Sequence, residues 1–197
     1  QFGPKEDLKR YPRNIKRDKK LLEEAGVDTL FLPSTKDLYP AEFQTQVSLS
    51  GLSGGLCGRS RPTHFAGVAT VVLKLLNITE PDVLYLGQKD YQQFRVIEQM
   101  IRDLDLSVSL RMMPIVREED GVAMSSRNVL LTKTERREAA TLNLAFLSIK
   151  KAVADGCRSA NQLRNIAQKT LKNVRHGHVD YIEIVDAQSL KAVVNLV

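Results

Sequence analysis

Residues 117–128, REEDGVAMSSRN, place two adjacent hydroxyls, a guanidinium and an amide in a polar loop that contains a glycine. Ser125, Ser126 and Arg127, with nearby free backbone N–H groups, can hold the oxygens of a polyphosphate, because charge-assisted bonds to phosphate are short and strong. The same Ser-Ser-Arg-Asn tetrapeptide also suits a solvated turn or the start of a helix, so the loop by itself does not choose between the two. A second anion-directed group is Gly87-Gln88-Lys89-Asp90, followed by Gln92 and Gln93. Gly87 lets backbone approach a ligand, Lys89 offers a point charge, and a helix beginning near Asp90 aims N–H groups and positive dipole at an anion. Asp90 reads equally well as the N-cap of that helix. One of the two glutamines can turn back toward the same pocket and bond a hydroxyl or a carboxylate oxygen. Arg61 and His64, at the end of the glycine-rich stretch GLSGGLCGRSRPTHF, are a third candidate set. They can swing a cation over a bound anion, or the stretch is a surface loop whose His64 starts the next helix.

The elements that must position these groups follow from periodicity. Phe65, Val68, Ala69, Val72, Leu73 and Leu76 recur at spacings of three and four and predict a buried helix face. Residues 83–86 form a short, almost wholly apolar run, as expected of a strand covered on both faces of a parallel sheet. A second amphipathic helix uses Phe94, Ile97, Ile101 and Leu104, and 107–115 supplies another strand. Helix, strand, helix and strand joined by short links predict a parallel α/β sheet, in which ligands bind beyond the carboxyl ends of the strands. Gly87 to Asp90 occupies that position.

Upstream, 1–13 reads as a loop, and a helix runs from near Asn14 to Gly26 with Lys16, Arg17, Lys19 and Lys20 opposite Ile15, Leu22 and Ala25. That basic surface reads as a solvated helix face; without interleaved aromatics or a recognised module, no nucleic-acid partner is expected. Residues 27–32 predict a short strand, 38–40 a turn and 45–49 a further strand. A boundary falls at 114–117. Beyond it, Thr132 and Glu135 form a capping-box pattern opening a long helix with an apolar stripe of Leu142, Ala145, Phe146, Ile149, Ala152 and Val153. Ser159 caps another helix, and 179–185 alternates as a half-buried strand. A parallel-sheet domain over 1–115 therefore precedes a smaller α+β domain over 116–197, with the clamp loop at the joint. A hinged second domain can bring that loop down over a nucleotide. His176 and His178, near a turn, read as surface residues, and no metal site is expected.

Composition narrows the class. The 197 residues are 43% hydrophobic and 26% charged, which is ordinary for a globular protein, and 29 Lys and Arg against 23 Asp and Glu give +6, favouring anionic partners. No apolar run approaches the ~18 to 20 residues that span a bilayer, so a cytoplasmic enzyme with no membrane partner is expected. Cys57 and Cys157 lie far apart with no metal-ligand spacing and read as reduced thiols. The opening at Gln1 and the apolar run 192–197, which reads as an unfinished strand, are expected of a fragment.

Five segments occur in an order that carries a resemblance: QFGPKEDLKRYPR, DTLFLPS with LYP, GRSRPTHFAGVATVVLKLLNI, PDVLYLGQKDYQQF and VREEDGVAMSSRN. Together they make the chain similar, over nearly its whole length, to the pantothenate synthetase family (AMP-forming pantoate:β-alanine ligases) of the nucleotidylyltransferase superfamily. The resemblance implies a Rossmann-like sheet domain, incomplete at its N-terminus, in which MSSRN looks like the counterpart of a KMSKS-type loop. It implies ATP as substrate with Mg²⁺ as bridging cation, pantoate and β-alanine as the other substrates, and a homodimer. Pantoyl adenylate would be the intermediate, and AMP and pyrophosphate would be released. Lys89, Ser125, Ser126 and Arg127 would act on phosphate oxygens; Gly87, Gln88 and Asp90 would line the nucleotide side; Val116 and Met124 would flank adenine or ribose. Gln1 and Gln93 would hold pantoate, and Gln1 would also lie near β-alanine. The family usually carries Glu at the position of Gln88, and its HxGH motif would precede Gln1, so the 197-residue polypeptide alone is expected to be inactive. The alternatives are a nucleotidylyltransferase-like enzyme acting on another acid and a nucleotide-binding module.

Overall fold

The computed structural model describes residues 2 and 8–196. After a 3-10 turn at Leu8–Arg10, helix α1 (Ile15–Glu24) starts where the Asn14 side chain accepts from Arg17 N, and it ends ahead of Gly26 at φ +74°. None of its residues is buried, so its apolar side docks only loosely. A helical turn α2 (Thr35–Leu38) leads into the segment 38–40 expected as a turn, and it forms because Ser34 and Asp37 close a reciprocal capping box. The strand expected at 27–32 does not form. Among the described residues no neighbour pairs with it, and Leu30, Phe31 and Leu32 are exposed. An extended segment without a ladder leaves its backbone groups to water. The strand expected at 45–49 is likewise absent as a ladder; its Val47 N–H donates instead to Thr70 Oγ1, at 2.9 Å.

The centre of the molecule is α4 (His64–Thr79), β1 (Val83–Gly87), α5 (Tyr91–Asp103) and β2 (Ser109–Met113), which follow the helical turn α3 (Cys57–Ser60). β1 and β2 pair in parallel with Val83 opposite Ser109 and Gly87 opposite Met113. Their α5 crossover makes this a β-α-β unit, the arrangement that helix-strand alternation required. Val68, Ala69 and Leu76 of α4 meet Ile97 and Met100 of α5, and Leu84 and Leu86 pack against them from one face of β1. Each fully buried Val, Leu, Ile or Met side chain in this cluster contributes about 1.5–3 kcal/mol. β1 is not covered on both sides as its apolar composition predicted. Tyr85, pointing to the opposite face, is 62% exposed, because both helices of the unit pack on the Leu84/Leu86 side.

Gly58 is the tightest point of the glycine-rich stretch. A Cβ built there would lie 1.7 Å from Ser53 O, a backbone atom that cannot swing aside. Gly58→Ala is therefore expected to destabilise the fold by about 1–3 kcal/mol through overpacking. Gly55→Ala, whose Cβ enters open space, should leave the melting temperature close to the parent's. Calorimetric melting of the two variants checks the contrast.

Downstream, α6 (Lys133–Ala154) and α7 (Ala160–Leu171) pack as a pair through Ala145, Leu163 and Ala167. The Thr132/Glu135 capping box and the Ser159 cap form as read from the sequence. The α6 stripe is only partly buried: Leu142 and Phe146 are 54% and 57% exposed and line a cleft instead of the helix pair. The strand expected at 179–185 reduces to a bridge between Val185 and Ala192, and the run 192–197 pairs within its described part only there and at Asn195 with Ser159. Alternation alone does not make a strand, since each ladder position needs a partner at the right register.

Candidate active site

The two anion-directed groups meet. A cleft of about 430 Å³ is lined by Phe2, Tyr11, Arg13, Arg61, His64, Lys89, Asp90, Gln93, Met124, Ser125, Ser126 and Arg127. β1 delivers Lys89 and Asp90 at its carboxyl end, the first turn of α5 delivers Gln93, the glycine-rich stretch delivers Arg61 and His64, and the clamp loop supplies the opposite wall. Four of the lining side chains are Arg or Lys and one is a carboxylate, so the cleft favours an anion. Gly87, Gln88 and Val116 lie outside this lining. Val116 stays adjacent through its carbonyl, which accepts from Met124 N at 2.9 Å. Gln1 lies outside the described residues.

The structure separates the neighbouring glutamines. Gln93 faces the cleft, whereas Gln92 is buried and its amide is spent on the glycine-rich backbone. Asp90 precedes α5 but makes no capping bond with its side chain; it pairs with Lys89 Nζ at 3.3 Å, and both groups stay open to solvent.

The clamp is better ordered than a solvated turn. Arg117 and Ala123 bridge antiparallel, Glu118 N donates to Val122 O and Met124 N to Val116 O, so 116–124 is a small hairpin. Its tip bends at Gly121, where φ is +85°, a backbone region that favours glycine. Arg136 of α6 anchors it: Nε and Nη2 each lie 2.7 Å from an Asp120 oxygen, and Nη2 lies 2.8 Å from Glu118 Oε2. Asn128 donates to Glu118 Oε1 and Ala123 O, tying the end of the clamp back to the same hairpin. Ser125 accepts from Arg127 N and starts the 3-10 turn Ser126–Leu130, while Ser126 Oγ donates to the Tyr11 hydroxyl at 3.0 Å. The Arg127 guanidinium lies 4.8 Å from the Tyr11 ring centre and 5.7 Å from that of Phe2. This is a cation–π stack that leaves the fork beside the cleft. Tyr11 and Arg13 were not singled out from sequence. Tyr11 meets its hydroxyl partner 115 positions away, a separation at which no local pattern signals contact.

The hairpin carries a pH dependence. The Asn128 amide, then the Arg136 guanidinium, hold the Glu118 carboxyl below its usual value, and the Val122 N–H, then Arg136, do the same for Asp120. Carboxylates with a lowered folded pKa contribute stability above their unfolded values, near 4, and lose it as pH falls below them. The melting-temperature difference between the parent and Arg136→Met is expected to be present at pH 7 and to shrink as pH drops through the carboxylate range. A difference that stays constant to pH 3 would contradict this role for the ion pairs.

A parallel β-α-β unit with charged and amide side chains beyond its strand ends, faced by a Ser-Ser-Arg loop, defines an α/β protein of nucleotidylyltransferase-like fold. The family model for pantoate-beta-alanine ligase matches residues 1–196. The chain belongs to that family, whose members are carbon–nitrogen ligases. It is 49% identical to pantothenate synthetase of Thermotoga petrophila over 193 residues and 46% identical to that of Acetivibrio thermocellus, covering 98% of this chain and 69% of each relative. The crystal structure of pantothenate synthetase from Thermus thermophilus superposes with a TM-score of 0.97 at 42% identity, covering 100% of this chain and 71% of that one. Pantoate-beta-alanine ligase from Francisella tularensis, complexed with beta-gamma ATP and beta-alanine, gives a TM-score of 0.71 at 35% identity over 83% of this chain and 61% of that one.

Proposed function

We propose that the protein joins pantoate to β-alanine at the expense of ATP through enzyme-bound pantoyl adenylate. The observation that carries this reading is the convergence of Lys89, Gln93 and the Ser125-Ser126-Arg127 clamp on one cationic cleft. A pantoate carboxylate oxygen attacks the α-phosphorus of ATP, the P–O bond to the leaving group breaks, and pyrophosphate departs. The β-alanine amine then attacks the acyl carbon, loses a proton, and expels AMP.

Neither step needs a covalent enzyme intermediate, so the protein's contribution is alignment and charge stabilisation. Lys89 and Arg127 neutralise charge developing on phosphate oxygens, and the Ser125 and Ser126 hydroxyls donate to the same oxygens. Gly87, Gln88 and Asp90 lie along the nucleotide, and Val116 and Met124 flank its base or ribose. Gln93 bonds pantoate's hydroxyl and carboxylate oxygens, its neutral amide offering both a donor and an acceptor to the hydroxyl; Gln1 is assigned to pantoate and β-alanine.

Asp90 is the carboxylate in the cleft lining, and no group of three His, Cys, Asp or Glu suited to a metal exists among the described residues. That donor set fits Mg²⁺ arriving on the triphosphate and taking a single protein carboxylate. The ion would supply neutralisation of phosphate charge. The chain divides at 115/116 into a nucleotide- and pantoate-binding domain and a lid carrying the clamp, and a homodimer in the cytoplasm is expected from the family likeness. Among the described residues no helix is long and apolar enough to cross a membrane.

The test is pyrophosphate release from Mg·ATP by the full-length protein, with and without pantoate, before β-alanine is added. Release that requires pantoate supports carboxylate adenylation. Release that is indifferent to pantoate but responds to another hydroxy acid would reassign the substrate.

A further inference from the structure

We propose that Gln92 is a positioning residue that sets Arg61 and His64 in the anion cleft, an assignment that rests on the function proposed above. Gln92 is 9% exposed and its carboxamide is fully engaged: Nε2 donates to Leu52 O and to Gly55 O, each at 2.9 Å, and Oε1 accepts from Cys57 N at 3.1 Å. It therefore grips both arms of a stretch containing Gly51, Gly54 and Gly55, which has little stiffness of its own.

The grip continues along the backbone toward the cleft. Arg61 N donates to Cys57 O at 3.0 Å, and His64 N donates to Arg61 O at 3.0 Å. Arg61 and His64 both line the cleft. Hydrogen bonds thus run from a buried side chain on α5 to the backbone of two residues whose cationic or ionisable side chains line the cleft. Gln93, one residue further along α5, faces the cleft itself. The first turn of α5 therefore serves the site in two ways, one glutamine toward the cleft and the other fixing the glycine-rich stretch that carries Arg61 and His64.

Only a carboxamide of this length meets two carbonyls and an N–H together. Methionine keeps the volume and removes all three bonds. Glutamate keeps the shape but turns an acceptor toward two carbonyls while ionised.

The experiment is a double-mutant cycle of Gln92→Met and Arg61→Ala in the full-length protein, read by calorimetric Kd for ATP and by kcat/KM for pantoate-dependent pyrophosphate release. Leaving two part-buried carbonyls and one N–H unpartnered should weaken ATP binding about tenfold in Gln92→Met. If Gln92 acts through Arg61, the same substitution in the Arg61→Ala background adds less than about twofold. Equal, multiplying effects in the two backgrounds would overturn the proposal, as would ATP affinity unchanged in Gln92→Met. Should Gln92→Met fail to fold, Gln92→Glu carries the test. Its ATP affinity, relative to the parent at each pH, should recover as pH falls and the acid gains a proton to donate, and a ratio flat with pH would overturn the proposal. A parent that binds ATP without pantoate-dependent release would sink the functional reading, yet the ATP-binding cycle would still decide the role of Gln92.

Discussion

Lys89→Ala is expected to lower pantoate-dependent pyrophosphate release about 100- to 1,000-fold, the loss that follows removal of one preorganised group facing developing charge. Lys89 stands just past the carboxyl end of β1, lines the cleft, and is already within 3.3 Å of Asp90. Its ammonium is partly solvated, so the substitution strands no buried charge and should barely move the melting temperature. Activity is therefore separable from stability at this position. If phosphate charge grows in the transition state, kcat falls more than the KM for ATP rises. A drop confined to KM would make Lys89 a ground-state anchor for the triphosphate. Lys89→Ala turning over like the parent would remove it from the chemistry. Lys89→Arg should recover only part of the rate, because a planar fork does not occupy the place of a compact ammonium.

Arg136→Met is expected to reduce kcat/KM by up to about 100-fold although Arg136 does not line the cleft, since misplacement of a catalytic group by about 1 Å can cost that much. Arg136 holds Glu118 and Asp120 at the stem and tip of the hairpin, and the hairpin leads directly into Met124, Ser125, Ser126 and Arg127. Without that anchor Asn128 still donates to Glu118, but nothing else described joins these two acids to α6. The sign of a positioning effect is specific. Pyrophosphate release should fall at unchanged pH optimum, and Arg136→Lys should restore less than half of the loss, as one ammonium cannot bond both carboxylates in the guanidinium's forked geometry. Parent-like turnover in Arg136→Met would show that the hairpin holds its shape without α6.

Much of the site was legible in the chain before any coordinates. The hydroxyls and guanidinium of residues 125–127, Lys89 after an apolar strand, and Arg61 with His64 after a glycine-rich stretch are all local statements of residue type and spacing. Helices α4 and α5 and the caps of α6 and α7 follow from periodicity and short side-chain-to-backbone bonds, which act over three or four residues. The expected strands at 27–32, 45–49 and 179–185 illustrate the opposite case. Their alternation and branched residues fit a pleated surface, but a ladder exists only where a second strand lies alongside in register, and that condition is not local.

Between Gln92 and Gln93 residue type and spacing offered no choice, and only the family resemblance pointed to Gln93, because adjacent helix residues point about 100° apart and the surroundings say which direction is the cleft. Residue types and short-range spacing determined which groups can bind an anion and which segments are helical. Tertiary structure decided that Tyr11 meets Ser126, that Arg136 fastens the clamp, and that one glutamine lines the cleft while the other fastens a loop. Each of these contacts joins residues brought together by packing across 16 to 115 positions. At such separations the closure is set by burial and geometry of the whole chain, with no signature in the local sequence.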